Sequence, residues 1–187
     1  MRMLRSIVAK PLFPACLRAF VTDKRGVSAV EFALLLPLML TLYLGGVELS
    51  QGISIDRKVT LTARTVADLV AQAQSVSTAT TADAASALGA AAAIMAPYPI
   101  DAAKIVVSLI EIDKNGNAKV KWSSAKNATP RAAGSSVTLP TALQVPETSL
   151  VLGEASYDYQ PSIGYVVTGS MKLSNQIYMR PRLDTAT

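Results

Sequence analysis

Lys24-Arg25-Gly26 runs directly into Val27-Ser28-Ala29-Val30-Glu31-Phe32 and then into an apolar segment that ends at Val47. The stretch 27–47 carries a single charged side chain, Glu31. As a helix rising about 1.5 Å per residue it covers roughly 31 Å, enough to cross a hydrocarbon core about 30 Å thick. An ionised residue inside lipid is costly, so Glu31 is expected to have a role and a partner. A cut after Gly26 would give Val27 a new ammonium group. That charge would sit about 6 Å of helical rise from Glu31, which allows pairing within one chain or with a neighbour.

The charge pattern supports a span. The chain has 187 residues, with 18 Lys and Arg against 13 Asp and Glu, a net charge of +5. Residues 1–25 hold six basic residues (Arg2, Arg5, Lys10, Arg18, Lys24, Arg25) and one acid, Asp23, so the whole excess lies before the apolar segment. The remainder is neutral, its basic and acidic side chains equal in number. This excludes a phosphate-binding patch on the folded part and argues against nucleic acid as a partner. Positive flanks stay inside, so the N-terminus is expected in the cytoplasm and everything after Val47 outside. A cleavable secretory signal fits less well, because the apolar run exceeds the usual h-region of about 7–15 residues and no small-x-small site follows it cleanly.

Composition removes several classes of chemistry. Half of the residues are hydrophobic, 17% are charged and mean hydropathy is +0.33, which excludes disorder and suggests a membrane segment beside a core. There is no histidine, so His-based acid/base catalysis, His metal ligands and the usual serine triad are ruled out. The lone cysteine, Cys16, makes neither an intramolecular disulfide nor a multi-Cys zinc site. Aromatics at 5% argue against a large aromatic-lined pocket.

Outward from the span, periodicity predicts an α+β protein. One long helix is expected from about residue 28 to 74, apolar all round at 27–47 and amphipathic at 48–75. There Val59, Ala63, Val66, Val70 and Ala73 recur at steps of four and three. Arg64 and Asp68 are placed to pair at i, i+4, and Pro37 is expected to bend or open the helix locally. Residues 75–81 break the pattern. Thr80 with Asp83 resembles an N-cap, and the alanine-rich run at 82–96 predicts a second helix ended by Pro97 and Pro99.

The period then changes to two. Strands are expected at 104–112, 118–122, 150–159 and 170–180, with Asp113-Lys114-Asn115-Gly116-Asn117 as a hairpin turn. Ala118, Val120 and Trp122 alternate with Lys119 and Lys121, which predicts one buried and one wet face. Residues 123–146 read as a loop without periodicity. The outer α+β domain is thus expected at 80–187, with a small four-stranded antiparallel sheet.

The junction resembles a type IV prepilin processing site: a glycine, four residues, then Glu-Phe at the head of an apolar helix. More narrowly, Gly26-Val27-Ser28-Ala29-Val30-Glu31-Phe32-Ala33 with Leu36-Pro37 is similar to the TadE-like family of the tight-adherence (Flp) pilus machinery. Trp122-Ser123, Glu154-Ala155-Ser156-Tyr157-Asp158-Tyr159-Gln160-Pro161 and Tyr178-Met179-Arg180-Pro181-Arg182 resemble that family's later blocks. The resemblance implies a pilin-like fold and cleavage between Gly26 and Val27 by an aspartic prepilin peptidase, with Lys24, Arg25 and Phe32 as the recognition flank. It further implies that Glu31 pairs with the new terminus and that the product acts as a minor pilin or pseudopilin in pilus biogenesis and adhesion. Its partners would be the peptidase, a major Flp-type pilin, other minor pilins and the inner membrane, with no cofactor and no small-molecule substrate. A leader that runs from Met1 to Gly26 is long for a prepilin, which leaves Met3 as an alternative start.

Blander readings stand beside these. Gly26 and Glu31 could belong to an ordinary signal anchor, giving an unprocessed bitopic inner-membrane protein whose periplasmic domain binds another envelope component. Glu48 reads as an interfacial residue at the outer edge of the span. Asp113-x-Asn115-Gly116-Asn117 lacks the later ligands of a calcium loop and reads as a turn. Asn127-Ala128-Thr129 reads as a chance sequon, and Tyr157, Tyr159 and Tyr178 as strand packing rather than a ligand cage. A membrane-anchored enzyme would need a converging polar cluster on the outer domain, and no Ser/Lys or paired-carboxylate motif stands out.

Overall fold

The computed structural model describes residues 25–72, 81–161 and 169–182. Helix α1 spans Arg25–Ala71 and continues through Pro37. The hydroxyl of Thr41 donates to the Pro37 carbonyl one turn back, a local bond that Thr makes within helices. The short helix α2 is Thr81–Met95, ending two residues before Pro97 as expected. Four strands follow: β1 Ala103–Ile112, β2 Ala118–Lys126, β3 Thr148–Tyr159 and β4 Met171–Met179. They form one antiparallel sheet in the order β2-β1-β3-β4, so the protein is α+β. The expected N-cap at Thr80 lies outside the described residues.

The chain divides into two units at Gly45/Gly46. In the first, residues 26–45 of α1 are exposed or nearly so, with Leu34 at 73% and Leu42 at 70% exposure. Such a helix is apolar on all sides, which in water would be unfavourable and in lipid is not.

In the second unit, α1 changes character. Val59, Ala63, Val66 and Val70 of the expected four-and-three stripe are buried, with Ile55 and Ala71 beside them, while Ala73 lies outside the described residues. They share a core with Ala84, Ala87, Leu88, Ala91 and Met95 of α2, with Ala103, Ile105, Val107 and Leu109 of β1, and with Val151, Ala155, Tyr157 and Tyr159 of β3. The alternation of strand side chains puts this whole set on one face of the sheet. Helix and sheet approach so closely at Gly153 that a Cβ there would lie 2.6 Å from the Ala63 carbonyl oxygen and 2.8 Å from the Ala67 Cβ. Small residues on both elements permit that contact.

The other face carries a second core. Ile110, Ile112, Leu150 and Leu152 are covered by Leu139, with Val137, Leu143 and Tyr178 packed around them. The stretch expected as loop at 123–146 is therefore more ordered than its composition indicates. Residues 123–126 complete β2, Thr141–Leu143 forms a 3-10 turn, and Lys119 bridges to Ser136. The expectation for Trp122 also needs correcting. Leu109 pairs with Trp122 but Ile110 with Val120, so a β-bulge inserts one extra residue into β2. Trp122 consequently packs against the helix-side core, whereas Ala118 lies in the other.

Polar groups tie the element ends. Lys58 Nζ donates to the carbonyls of Ile94 and Ala96, both at 2.8 Å, satisfying acceptors that the end of α2 leaves open. Asp68 does not pair with Arg64 as expected. Its carboxylate takes Arg182 at 3.2 Å and Gln72 at 2.6 Å, and the Arg182 N–H donates to Ala71 C=O at 3.0 Å, closing the end of α1. At the β1–β2 hairpin, Asp113 accepts from the backbone N–H groups of Asn115 and Asn117, both at 2.8 Å, and from the Asn117 side chain at 3.0 Å. These bonds hold its carboxyl below the usual range, and Gly116 supplies the left-handed φ of +82° that the turn requires. The carboxylate is thus engaged by the turn itself.

Candidate functional site

The expected junction begins α1. Lys24 lies outside the described residues; Arg25, Gly26, Val27, Glu31 and Phe32 are all helical. Val27 is 53% exposed and Phe32 61%. Because Gly26 occupies the first turn, its backbone N–H is among the four that a helix leaves without an internal partner. A Cβ at Gly26 would meet nothing within 4 Å, and its φ is not in the left-handed region. The fold therefore has no need for glycine there, in contrast to Gly153. Glycine in a helix costs about 1 kcal/mol relative to alanine. Gly45 and Gly46 are equally open, so openness alone does not mark the junction.

Glu31 lies one helical turn beyond Val27 and is exposed. Among the described residues it forms no ion pair, whereas acids of the sheet domain are engaged: Asp158 with Lys104 at 2.7 Å and Glu154 with Arg131 at 2.7 Å. The spacing gives an open glycine, a hydrophobic helix and a carboxylate that forms no ion pair among the described residues. That arrangement can pair a new amine or a neighbour's cation.

The sheet domain holds features that sequence reasoning did not find. A cavity of about 600 Å³ lies beside β1, β3 and β4, with Lys104, Arg131, Glu154, Lys172, Asn175 and Gln176 among its lining. Next in sequence to the lining residues Ala128 and Thr129, Asn127, at φ +55°, donates its amide to the carbonyls of Ile100 and Ala103 at 2.9 Å each. The Asn127 amide thus has a structural use. Arg131 grips Glu154 with two nitrogens, Nε at 2.9 Å and Nη2 at 2.7 Å, which raises the guanidinium pKa. Lys104 likewise holds the Asp158 carboxyl below its ordinary value.

The tyrosines pack as expected. Tyr157 and Tyr159 are buried, and burial pushes both phenols up. Tyr157 meets Tyr98 edge-on at 6.5 Å, and the Tyr159 hydroxyl reaches the Glu48 carbonyl at 3.5 Å. Among the described residues no group of three or more Asp, Glu or Cys side chains gathers to hold a metal ion.

The chain thus joins an exposed apolar helix, long and apolar enough to cross a membrane, to a helix-backed four-stranded antiparallel sheet. Residues 26–68 match the family model described as TadE-like protein, the family that the junction motif resembles. The match starts at Gly26 and lies within α1, so it covers the junction and the amphipathic half of the helix but not the sheet. No curated protein and no solved structure matches the chain.

Proposed function

We propose that this chain is a minor pilin or pseudopilin of a tight-adherence (Flp-type) pilus, cut by a prepilin peptidase between Gly26 and Val27. Lys24, Arg25 and Phe32 flank the scissile bond and serve recognition. The span at 27–47 then anchors the product in the inner membrane, with the leader in the cytoplasm and the sheet domain in the periplasm. The observation that carries this reading is the coincidence, five residues apart at the head of an exposed helix, of a glycine the fold does not need and a glutamate that forms no ion pair among the described residues. A periplasm-restricted reporter fused after Thr187 is expected to be active; activity of a cytoplasmic reporter alone would overturn the topology.

Cutting and assembly place different demands on these residues. The new amine at Val27 has a reference pKa of about 7.7–8.0 and is largely protonated near pH 7. At the membrane interface water compensates it. Packed among apolar helices of other pilins it would be a buried, unpaired charge, which is strongly unfavourable. The Glu31 carboxylate, one turn away, supplies the counter-charge in the same chain or to an adjacent one. Glu31→Leu is therefore expected to be processed like wild type but to fail in piliation and in co-purification with its pilin partners. Glu31→Gln follows Leu if charge is required and wild type if hydrogen bonding suffices. Full piliation by Glu31→Leu would remove the pairing mechanism and leave the processing claim standing.

A further inference from the structure

We infer that the outer edge of β4 is a strand-addition site for an extended, acidic segment of another protein. This deepens the proposed function by assigning a partner surface, and it does not require the cut after Gly26. The sheet treats its two edges differently. On β2 the first part of the edge is covered by residues 134–137: Val120 N–H donates to Ser135 C=O at 2.9 Å, Gly134 N–H to Val120 C=O at 2.7 Å, and Val137 N–H to Ala118 C=O at 3.0 Å. Among the described residues no backbone pairs with the outer side of β4. The strand Met171–Met179 contains no proline, glycine or acid. An antiparallel strand turns alternate N–H and C=O pairs outward, so this edge offers about four of them to an added strand.

Charge selects the occupant. Lys172 in β4 and Arg180 just beyond it are exposed, and among the described residues neither forms an ion pair within 4.0 Å. Nearby carboxylates are already engaged. Asp158, opposite Lys172 in register, is held by Lys104, and Glu154 is gripped by Arg131. A second copy of β4 would bring only more cations, and edge lysines discourage such self-pairing. An added strand with acids eight positions apart, about 26 Å along the chain, would meet Lys172, whose charge acts on the Asp158 carboxylate that Lys104 already holds, and Arg180, while its backbone bonds the edge.

The test uses the full-length chain in detergent micelles. The probes are an eleven-residue peptide of alternating Thr and Val with Glu at both ends of a nine-residue stretch, the same peptide with Lys for Glu, and the acidic peptide interrupted by proline. The acidic peptide is expected to slow amide hydrogen exchange across 171–179 and to bind about tenfold more tightly than its lysine counterpart. The proline-interrupted peptide should not slow exchange. Lys172→Glu combined with Arg180→Glu, both exposed positions, should invert the preference. Equal binding of the acidic and lysine peptides, or unchanged β4 exchange at saturation, would overturn the proposal. These readouts are independent of leader removal, so their failure is distinguishable from failure of the processing claim.

Discussion

Gly26→Val is expected to abolish leader removal, leaving a protein that still begins at its initiating methionine when produced together with its peptidase. The reason is local. A peptidase must approach the scissile backbone closely, and only glycine presents it without a side chain. Gly26 and Val27 also lie in the first turn of α1, where helical bonds are incomplete, so the bond can be drawn into an extended form at small cost. A β-branched residue at 26 blocks approach. Because an added Cβ there meets nothing within 4 Å, the variant should retain the fold and the melting temperature of the sheet domain. Loss of cutting is thereby separable from misfolding. Comigration of wild type and Gly26→Val, both with the leader attached, would remove the reading.

Gly153→Val should have the opposite profile, leaving processing untouched and damaging the fold. The added Cβ would sit 2.6 Å from a main-chain carbonyl of α1 and 2.8 Å from the Ala67 Cβ. Backbone on one side and a hydrogen-bonded central strand on the other leave no flexible side chain to give way. Overpacking of this kind costs about 3 kcal/mol, and the thermal midpoint of the sheet domain should fall by about 10 °C. Gly153→Ala should already destabilise, since the clash begins at Cβ. Adding Ala67→Gly should recover only part of the loss, because the Ala63 carbonyl remains. An unchanged midpoint would mean that α1 does not rest on β3 at this point.

The fold was legible where its determinants are local. The stripe Val59, Ala63, Val66 and Val70 announces its buried face by spacing, and all four residues are buried. The hairpin at 113–117 declares itself through an Asp that bonds two residues and four residues onward. What escaped is non-local. Nothing near Trp122 signals the bulge that carries it to the helix-side core, since a bulge is fixed by pairing with β1. Leu139 covers the second face from a stretch without periodicity, and a single apolar anchor leaves no pattern to read. Asp68 finds Arg182 across 114 positions, so the nearer Arg64 was the wrong partner to expect. The junction at Gly26 and Glu31 is contiguous, so its spacing stands in the sequence, and the structure adds that both residues lie in α1. The cavity beside β4 is assembled from β1, β3, β4 and residues 128–131, and was not.

N-terminal sequencing of the protein extracted from membranes of peptidase-bearing cells tests the central claim most directly. The expected first residue is Val27, followed by Ser28-Ala29-Val30-Glu31. A terminus at Met1 or Met3, with the peptidase present and active on its other substrates, would contradict the account and establish an unprocessed, bitopic membrane protein instead.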